Sequence, residues 1–175
     1  VMNFAFSEER EELRGIVKSF LNDKSDEATV RELMDTESGY DTAVWTQMAE
    51  QMGLQALVIP EEFGGQGFGF VELVVVLEEM GRRLLCAPYF ATVALAANAI
   101  LNAGTNDEKA ALLPGIASGE LITAVAMTEP GTGSDLAGIA TTAIRDGDEY
   151  VVNGSKTFIT NGQMANLICV VAKTD

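Results

Sequence analysis

Hydrophobic periodicity changes once along this chain, near residue 120, and that change limits the fold more than any other feature. Ahead of it, apolar side chains recur at intervals of three and four, the period of a helix with one buried face. Beyond it, short runs rich in Val, Ile, Thr and Phe are separated by Asp146-Gly147, Asn153-Gly154 and Asn161-Gly162. Such dipeptides suit the positive φ of hairpin turns. The pattern predicts an α+β protein, with an N-terminal all-α helical domain over residues 1–120 and the beginning of an antiparallel β-domain over residues 121–175.

Within the helical part, Ser7 is placed to cap a helix whose first turn carries Glu8, Glu9, Glu11 and Glu12, charges that suit the positive end of a helix. Leu13, Ile16, Val17, Phe20 and Leu21 form its stripe. Asp41 is placed to cap a second helix, with Val44, Trp45, Met48, Ala49 and Met52 as its stripe and Gly53 as its stop. Residues 60–67 must be a loop, because three glycines cannot hold a helix together. Residues 70–84 are apolar nearly all round. Glu72, Glu78 and Glu79 favour a helix there over a strand, and the composition predicts a central, buried one. Pro88 can open a helix that stops at Gly104. Thr105-Asn106-Asp107-Glu108 then has the pattern of a capping box. The β part is predicted as a meander of strands at 121–127, 140–145, 149–152, 156–160 and 166–172. Its last edge and second face have nothing after Asp175 to cover them, so the sheet reads as the start of something longer.

Charge narrows the partners. Acidic residues number 26 against 11 basic ones, a net charge of -15. Nucleic acids and anionic membranes both need a basic surface, so neither is expected. Cys86 and Cys169 are far apart and the chain has no histidine, so no zinc site is expected and both cysteines are expected as buried thiols. The longest apolar stretch, residues 86–101, is broken by Pro88, Thr92 and Asn98. It falls short of the roughly 20 residues that a membrane span needs. No basic segment precedes an apolar run at the N-terminus, and the expectation is a soluble, cytoplasmic protein.

Residues suited to binding chemistry concentrate in two segments. In Thr128-Glu129-Pro130-Gly131-Thr132-Gly133-Ser134-Asp135 a strand runs into a Gly-rich turn. Gly131 and Gly133 let the backbone come close to a flat or anionic ligand, while Ser134 and Asp135 add a hydroxyl and a carboxylate. No lysine follows as in a phosphate-binding Walker loop, and the spacing is not that of a dinucleotide fingerprint. In Phe158-Ile159-Thr160-Asn161-Gly162, strand alternation sets Phe158 and Thr160 on one face and Ile159 on the other. An aromatic beside a hydroxyl can cover a ring system and hydrogen-bond one of its heteroatoms. Taken alone, the first segment is also the form of a decorated turn, and the second that of a strand end before an Asn-Gly turn.

At this spacing, with Tyr150-Val151-Val152-Asn153-Gly154-Ser155-Lys156 between them, the two segments resemble the acyl-CoA dehydrogenase family. The resemblance continues through Ile59-Pro60-Glu61-Glu62-Phe63-Gly64-Gly65-Gln66-Gly67, Glu78-Glu79-Met80-Gly81 and Leu113-Pro114-Gly115-Ile116-Ala117-Ser118-Gly119-Glu120. It implies three domains: N-terminal helices, a central FAD-binding β-domain and a C-terminal four-helix bundle. The first would be complete here, the second begun and the bundle absent. It also implies that Val125, Ala126, Met127, Thr128, Gly133 and Ser134 bind FAD, largely through backbone groups, with Ser134 touching the cofactor or the acyl-CoA substrate. Thr160 would hydrogen-bond flavin N5, Phe158 would pack by the ring, and Ile159 would complete the cofactor site. Val125 stands where many members carry an aromatic, and Phe158 where many carry Trp. The family's base is a glutamate of the bundle, so no catalytic residue is assigned within this chain, and Glu129 is given a structural role.

The reaction implied by the resemblance is α,β-dehydrogenation of an acyl-CoA thioester to a trans-2-enoyl-CoA, as in fatty-acid β-oxidation. A carboxylate base removes the α-hydrogen while a hydride leaves the β-carbon for flavin N5. Expected partners are the acyl-CoA, an electron-accepting flavoprotein and further subunits in a homo- or hetero-oligomer. The alternatives are an oxygen-using relative (an acyl-CoA oxidase or a flavin monooxygenase) and a non-catalytic subunit that supports FAD or substrate binding in a hetero-oligomer.

Overall fold

Helices α1 (Glu8–Lys24) and α4 (Phe70–Arg82) lie side by side and organise the helical part of the computed structural model, which describes residues 7–174. The domain limits expected at residues 1 and 175, and the N-terminal segment read for a leader, lie outside the described residues. Val17 and Leu21 of α1 share one buried cluster with Leu73, Val76 and Met80 of α4. The acidic residues that mark α4 as a helix are engaged across this contact. Arg10 donates to Glu72 at 2.7 Å, and Arg14 donates to Glu78 at 2.6 Å and to Glu79 at 3.4 Å. Arg82 closes on Glu79 at 2.7 Å. Burial works to raise the carboxyl pKa of Glu79, but the hydrogen bonds and charges of Arg82 and Arg14 outweigh it and hold the group below its ordinary value.

Several expectations need correction. The hydroxyl of Ser7 reaches the Glu9 carboxylate and makes no capping bond to the backbone of α1. Helix α4 is buried on one side only. Phe70 is 64% exposed, and Val71 and Val74 are exposed with it, because no described element covers that face. Helix α2 (Glu27–Met34), capped by Asp26, is an element that the apolar stripes do not announce, since Val30 is its single buried residue. The segment after Pro88 is not a plain α-helix. Phe90–Ala97 is a π-helix that passes into α5 (Asn98–Ala103), and the Asn98 amide takes up the carbonyls of Val93 and Ala94 in the wide turns.

Local signals elsewhere hold. Asp41 caps α3 (Thr42–Glu50) by accepting from the N–H groups of Ala43 and Val44. Trp45 on that helix donates to the Gly119 carbonyl at 2.8 Å, and Gln55 donates to the Trp45 carbonyl at 2.8 Å. The first of these bonds ties α3 to the end of the helical part, and the second ties α3 to the turn that follows it. Helix α6 (Asn106–Ala117) begins with the capping box, in which Thr105 Oγ1 accepts from Glu108 N and the Glu108 carboxylate accepts from Thr105 N at 2.7 Å.

Four strands follow, β1 (Thr123–Ala126), β2 (Thr142–Asp146), β3 (Glu149–Asn153) and β4 (Leu167–Val170). Strands β2 and β3 form the expected antiparallel hairpin, with Gly147 at φ 64° in its turn. Strands β1 and β4 instead pair in parallel, Thr123 opposite Leu167 and Ala126 opposite Val170, so the strands do not form a simple meander. The long connection containing the hairpin returns the chain in the same direction, as parallel pairing requires. No strand forms at 156–160, because left-handed backbone at Phe158 and Asn161 (φ 54° and 65°) breaks the extended run. Gly154 answers a demand for space and has no positive φ: a Cβ there would fall 2.2 Å from Thr141 Oγ1.

Cys86 and Cys169 are free thiols, half-buried where full burial was expected, and desolvation raises both above the ordinary thiol value. No described helix is long and apolar enough to cross a membrane. Thr105→Ala is expected to lower stability by about 1 kcal/mol, the usual cost of losing an N-cap side chain. The shift should be read as a lower urea midpoint at constant slope. An unmoved midpoint would show that the box does not support α6.

Candidate functional site

Strand β1 leads into Glu129, whose carboxylate gathers three parts of the chain. It is 7% exposed and accepts from Ala140 N at 2.6 Å, from Thr141 N at 2.9 Å, from the Thr141 hydroxyl, and from Lys156 Nζ at 2.9 Å. Lys156, whose side chain is 10% exposed, also donates to the Met127 carbonyl at 2.9 Å. The bonds from Ala140 N, the Thr141 hydroxyl and Lys156 hold the Glu129 carboxyl down at about 2. Its structural role is thereby accounted for: it fixes the exit of β1, the entry to β2 and the start of the segment after β3.

Between Glu129 and Ala140 the chain makes an exposed turn. Glu129 and Thr132 exchange backbone hydrogen bonds of 2.9 and 3.1 Å, and the Thr132 hydroxyl donates to the Gly138 carbonyl. At Gly131 and Gly133 an added Cβ would meet nothing within 4 Å, and neither residue has a positive φ. Nothing among the described residues therefore requires glycine at either position.

Strands β1 and β4 and residues 156–164 border a groove of about 680 Å³. Ala126, Ile168 and Val170 come from the strands, and Lys156 to Ile159 and Asn161 to Met164 from the segment between β3 and β4. Of the residues assigned to FAD by resemblance, Ala126, Phe158 and Ile159 line this groove. Val125 lies in β1 opposite Cys169. Met127 and Thr128 meet the groove segment through their carbonyls, which accept from Lys156 Nζ and Thr157 N. Thr160 is exposed and adjoins the lining residues without being one of them. Gly133 and Ser134 lie on the exposed turn, outside the lining. Phe158 is 91% exposed in a conformation that bulky residues avoid.

Ile168, Val170, Met164 and Asn161 join the groove without having been marked as ligand residues. Alternation in β4 could have marked Ile168 and Val170 as a pair on one face, but not the parallel neighbour that brings them beside Ala126. Chemically, the lining holds no carboxylate, imidazole or thiol, and its one cation, Lys156, is engaged by Glu129. Such a surface can position a flat, largely apolar group, and it offers no free acid or base to move a proton.

Glu129 makes a pH-dependent contribution to stability. Its folded pKa lies below the unfolded one of about 4.3, so that contribution is complete above the unfolded value and is lost as pH falls toward the folded one. Glu129→Gln should therefore be less stable than the wild type at neutral pH, and the gap should close as pH is lowered from about 5 to about 2. Urea titrations at several pH values check this. A gap that stays constant would mean that the Glu129 carboxyl is not held down by its partners.

Residues 7–120 match the family description Acyl-CoA dehydrogenase, N-terminal domain, and residues 124–175 match Acyl-CoA dehydrogenase, middle domain. The (2S)-methylsuccinyl-CoA dehydrogenase of Cereibacter sphaeroides is 45% identical over 126 residues, which are 71% of this chain and 23% of that protein. The solved acyl-CoA dehydrogenase from Geobacillus kaustophilus is similar with a TM-score of 0.84 and 38% identity, covering 99% of this chain and 45% of that one. The FAD complex of PigA is similar with a TM-score of 0.86 and 26% identity, covering 99% and 46%. The chain thus spans less than half the length of each of these relatives. With both family descriptions matched in order on a helical part followed by a short β part, the chain belongs to the acyl-CoA dehydrogenase family.

Proposed function

We propose that residues 1–120 and 121–175 are the N-terminal helical domain and the first part of the FAD-binding β-domain of an acyl-CoA dehydrogenase that converts an acyl-CoA thioester to its trans-2-enoyl-CoA. The observation that carries this reading is the groove beside β1, where Ala126, Phe158 and Ile159 meet around a largely apolar space with no free acid or base. Phe158 supports it further. An aromatic that is exposed and held in left-handed backbone gains nothing from its surroundings in this chain, and a stacked ring would supply the missing contact. The open space at Gly131 and Gly133 fits a ligand approaching the backbone of the turn.

Bound there, FAD supplies the hydride acceptor. The chain's own residues position it. Thr160 offers a hydroxyl beside Phe158 and Ile159, and the N–H groups of Gly131, Gly133 and Ser134 are available to phosphate oxygens or, at Ser134, to the substrate, while that of Thr132 is held by the Glu129 carbonyl. Lys156 cannot serve an anion while it holds Glu129 and the Met127 carbonyl. Charge for the pyrophosphate then comes from outside this segment, in line with the family resemblance from a neighbouring subunit in a homo- or hetero-oligomer. By the family resemblance the base is a glutamate outside residues 1–175, and a groove lining without a carboxylate agrees with that reading. Electrons leave to a flavoprotein acceptor, and the enzyme works in the cytoplasm in fatty-acid oxidation.

The full-length protein is expected to bind FAD and to lose its visible flavin absorption when an acyl-CoA is added without oxygen, with an enoyl-CoA as product. A protein with no affinity for FAD would overturn the reading. Bound FAD that no acyl-CoA can reduce would point to a supporting subunit, and rapid reoxidation by air to an oxygen-using relative. Thr160→Val in the same protein should leave FAD bound while shifting its potential or slowing its reduction, on the scale of about 0.5–1.5 kcal/mol for one hydrogen bond. An unchanged potential and rate would remove Thr160 from the site.

A further inference from the structure

Residues 156–161 carry Phe158, Ile159 and Thr160, yet no strand ladder holds them. Phe158 and Asn161 both have positive φ. Asn adopts such backbone readily, whereas for Phe it is strained, and burial does not offset the strain because Phe158 is exposed. Other contacts must keep the segment in this shape.

At its first end, Lys156 is fixed on Glu129 and the Met127 carbonyl, and Thr157 N donates to the Thr128 carbonyl at 2.9 Å. At its other end the attachment is the side chain of Asn161. Its Nδ2 donates to the carbonyls of Pro88 and Thr123, each at 3.1 Å, and lies 3.5 Å from Thr92 Oγ1. Pro88 precedes the π-helix and Thr123 opens β1, so one amide joins the groove segment to both. Thr92 stiffens the junction, since its hydroxyl bonds both Thr123 N and the Thr123 carbonyl. The backbone bonds nearby, Gly162 N to the Ile159 carbonyl and Met164 N to the Asn161 carbonyl, are local, and the next backbone attachment to the rest of the fold comes at Asn166, whose N–H donates to the Ile122 carbonyl at 2.8 Å.

We propose that Asn161 is a positioning residue for FAD: by gripping the Pro88 and Thr123 carbonyls, its amide holds Phe158, Ile159 and Thr160 in their binding shape before the cofactor arrives. The proposal rests on the groove being the flavin site. A cradle ordered in advance binds more tightly because the ordering cost is not met at binding. The affinity for FAD then depends on an amide whose hydrogen bonds go to Pro88 and Thr123, although Asn161 also borders the groove.

Two substitutions in the full-length protein separate this from a general effect on folding. Asn161→Gly tolerates the left-handed backbone and, unlike the size-matched Asn161→Asp, adds backbone freedom as it removes the amide. It should raise the Kd of the apoprotein for FAD about tenfold (~1.4 kcal/mol), read by fluorescence titration, and speed amide exchange at residues 157–161, with helical circular dichroism unchanged. Asn161→Asp keeps the size but has no donor when ionised, and regains one when protonated. Facing the Pro88 and Thr123 carbonyls, which disfavour a neighbouring negative charge, the new carboxyl should have a raised pKa, so the variant's Kd relative to wild type should be high at about pH 8 and fall as pH is lowered to about 5. Lys156 with Glu129 on the groove side, and the buried Tyr89 phenol next to Pro88, are common to both proteins, so the ratio removes their contribution. If the wild type binds FAD and Asn161→Gly binds it equally well, or the Asn161→Asp ratio does not move with pH, the proposal is overturned and the flavin reading stands. A wild type without affinity for FAD overturns both.

Discussion

The β part of this chain depends on a carboxylate that has almost left water. Glu129 is bonded to groups 11, 12 and 27 residues further along the sequence. A buried anion is costly unless its acceptor positions are filled, and here backbone N–H groups, a hydroxyl and an ammonium fill them. The same bonds decide where the chain can go next. The exposed turn after Glu129 begins and ends at its oxygens, and the segment that borders the groove starts at its ammonium partner. Without that carboxylate, three loops would have to find their relative places separately, each at its own entropic cost.

A strongly acidic chain must place its few cations with care. Arg10 and Arg14 of α1 meet Glu72, Glu78 and Glu79 of α4, Arg82 meets Glu79 within α4, and Lys156 meets Glu129. These pairs do not weigh equally. Glu78 is exposed, so its pair with Arg14 is largely screened by solvent. Glu79 and Glu129 are desolvated, and removing either one's partners would leave an unpaired buried charge. The consequence for ligand binding is that Lys156, the groove's cation, already belongs to the scaffold.

Legibility followed distance along the chain. Asp41, the Thr105–Glu108 box and the hairpin turn at Gly147 are local devices, complete within a few residues, and each stands where its sequence pattern puts it. Helix α2 escaped because a stripe cannot be read from one buried residue, Val30. The π-helix escaped because its wide turns are sustained by Asn98, and by Thr92 bonding a strand 31 residues away. The strand expected at 156–160 was inferred from apolar content and an Asn-Gly pair. Its backbone has no ladder to join, since Lys156 and Asn161 attach it through side chains.

The sequence by itself determined the α+β class, the caps of α3 and α6, the acidic balance and the order of motifs that marks the family. These follow from bonds spanning a few residues, or from the composition itself, and periodicity reports them directly. Only the tertiary structure decided that β1 pairs in parallel with β4, that Phe158 stands exposed in left-handed backbone, and that Asn161 grips a carbonyl 73 residues before it. A hydrophobic period says which face of an element is buried, but not which distant element it meets. Strand pairing and the partner of a side-chain amide are settled only when the long intervening loop closes and competing contacts are excluded.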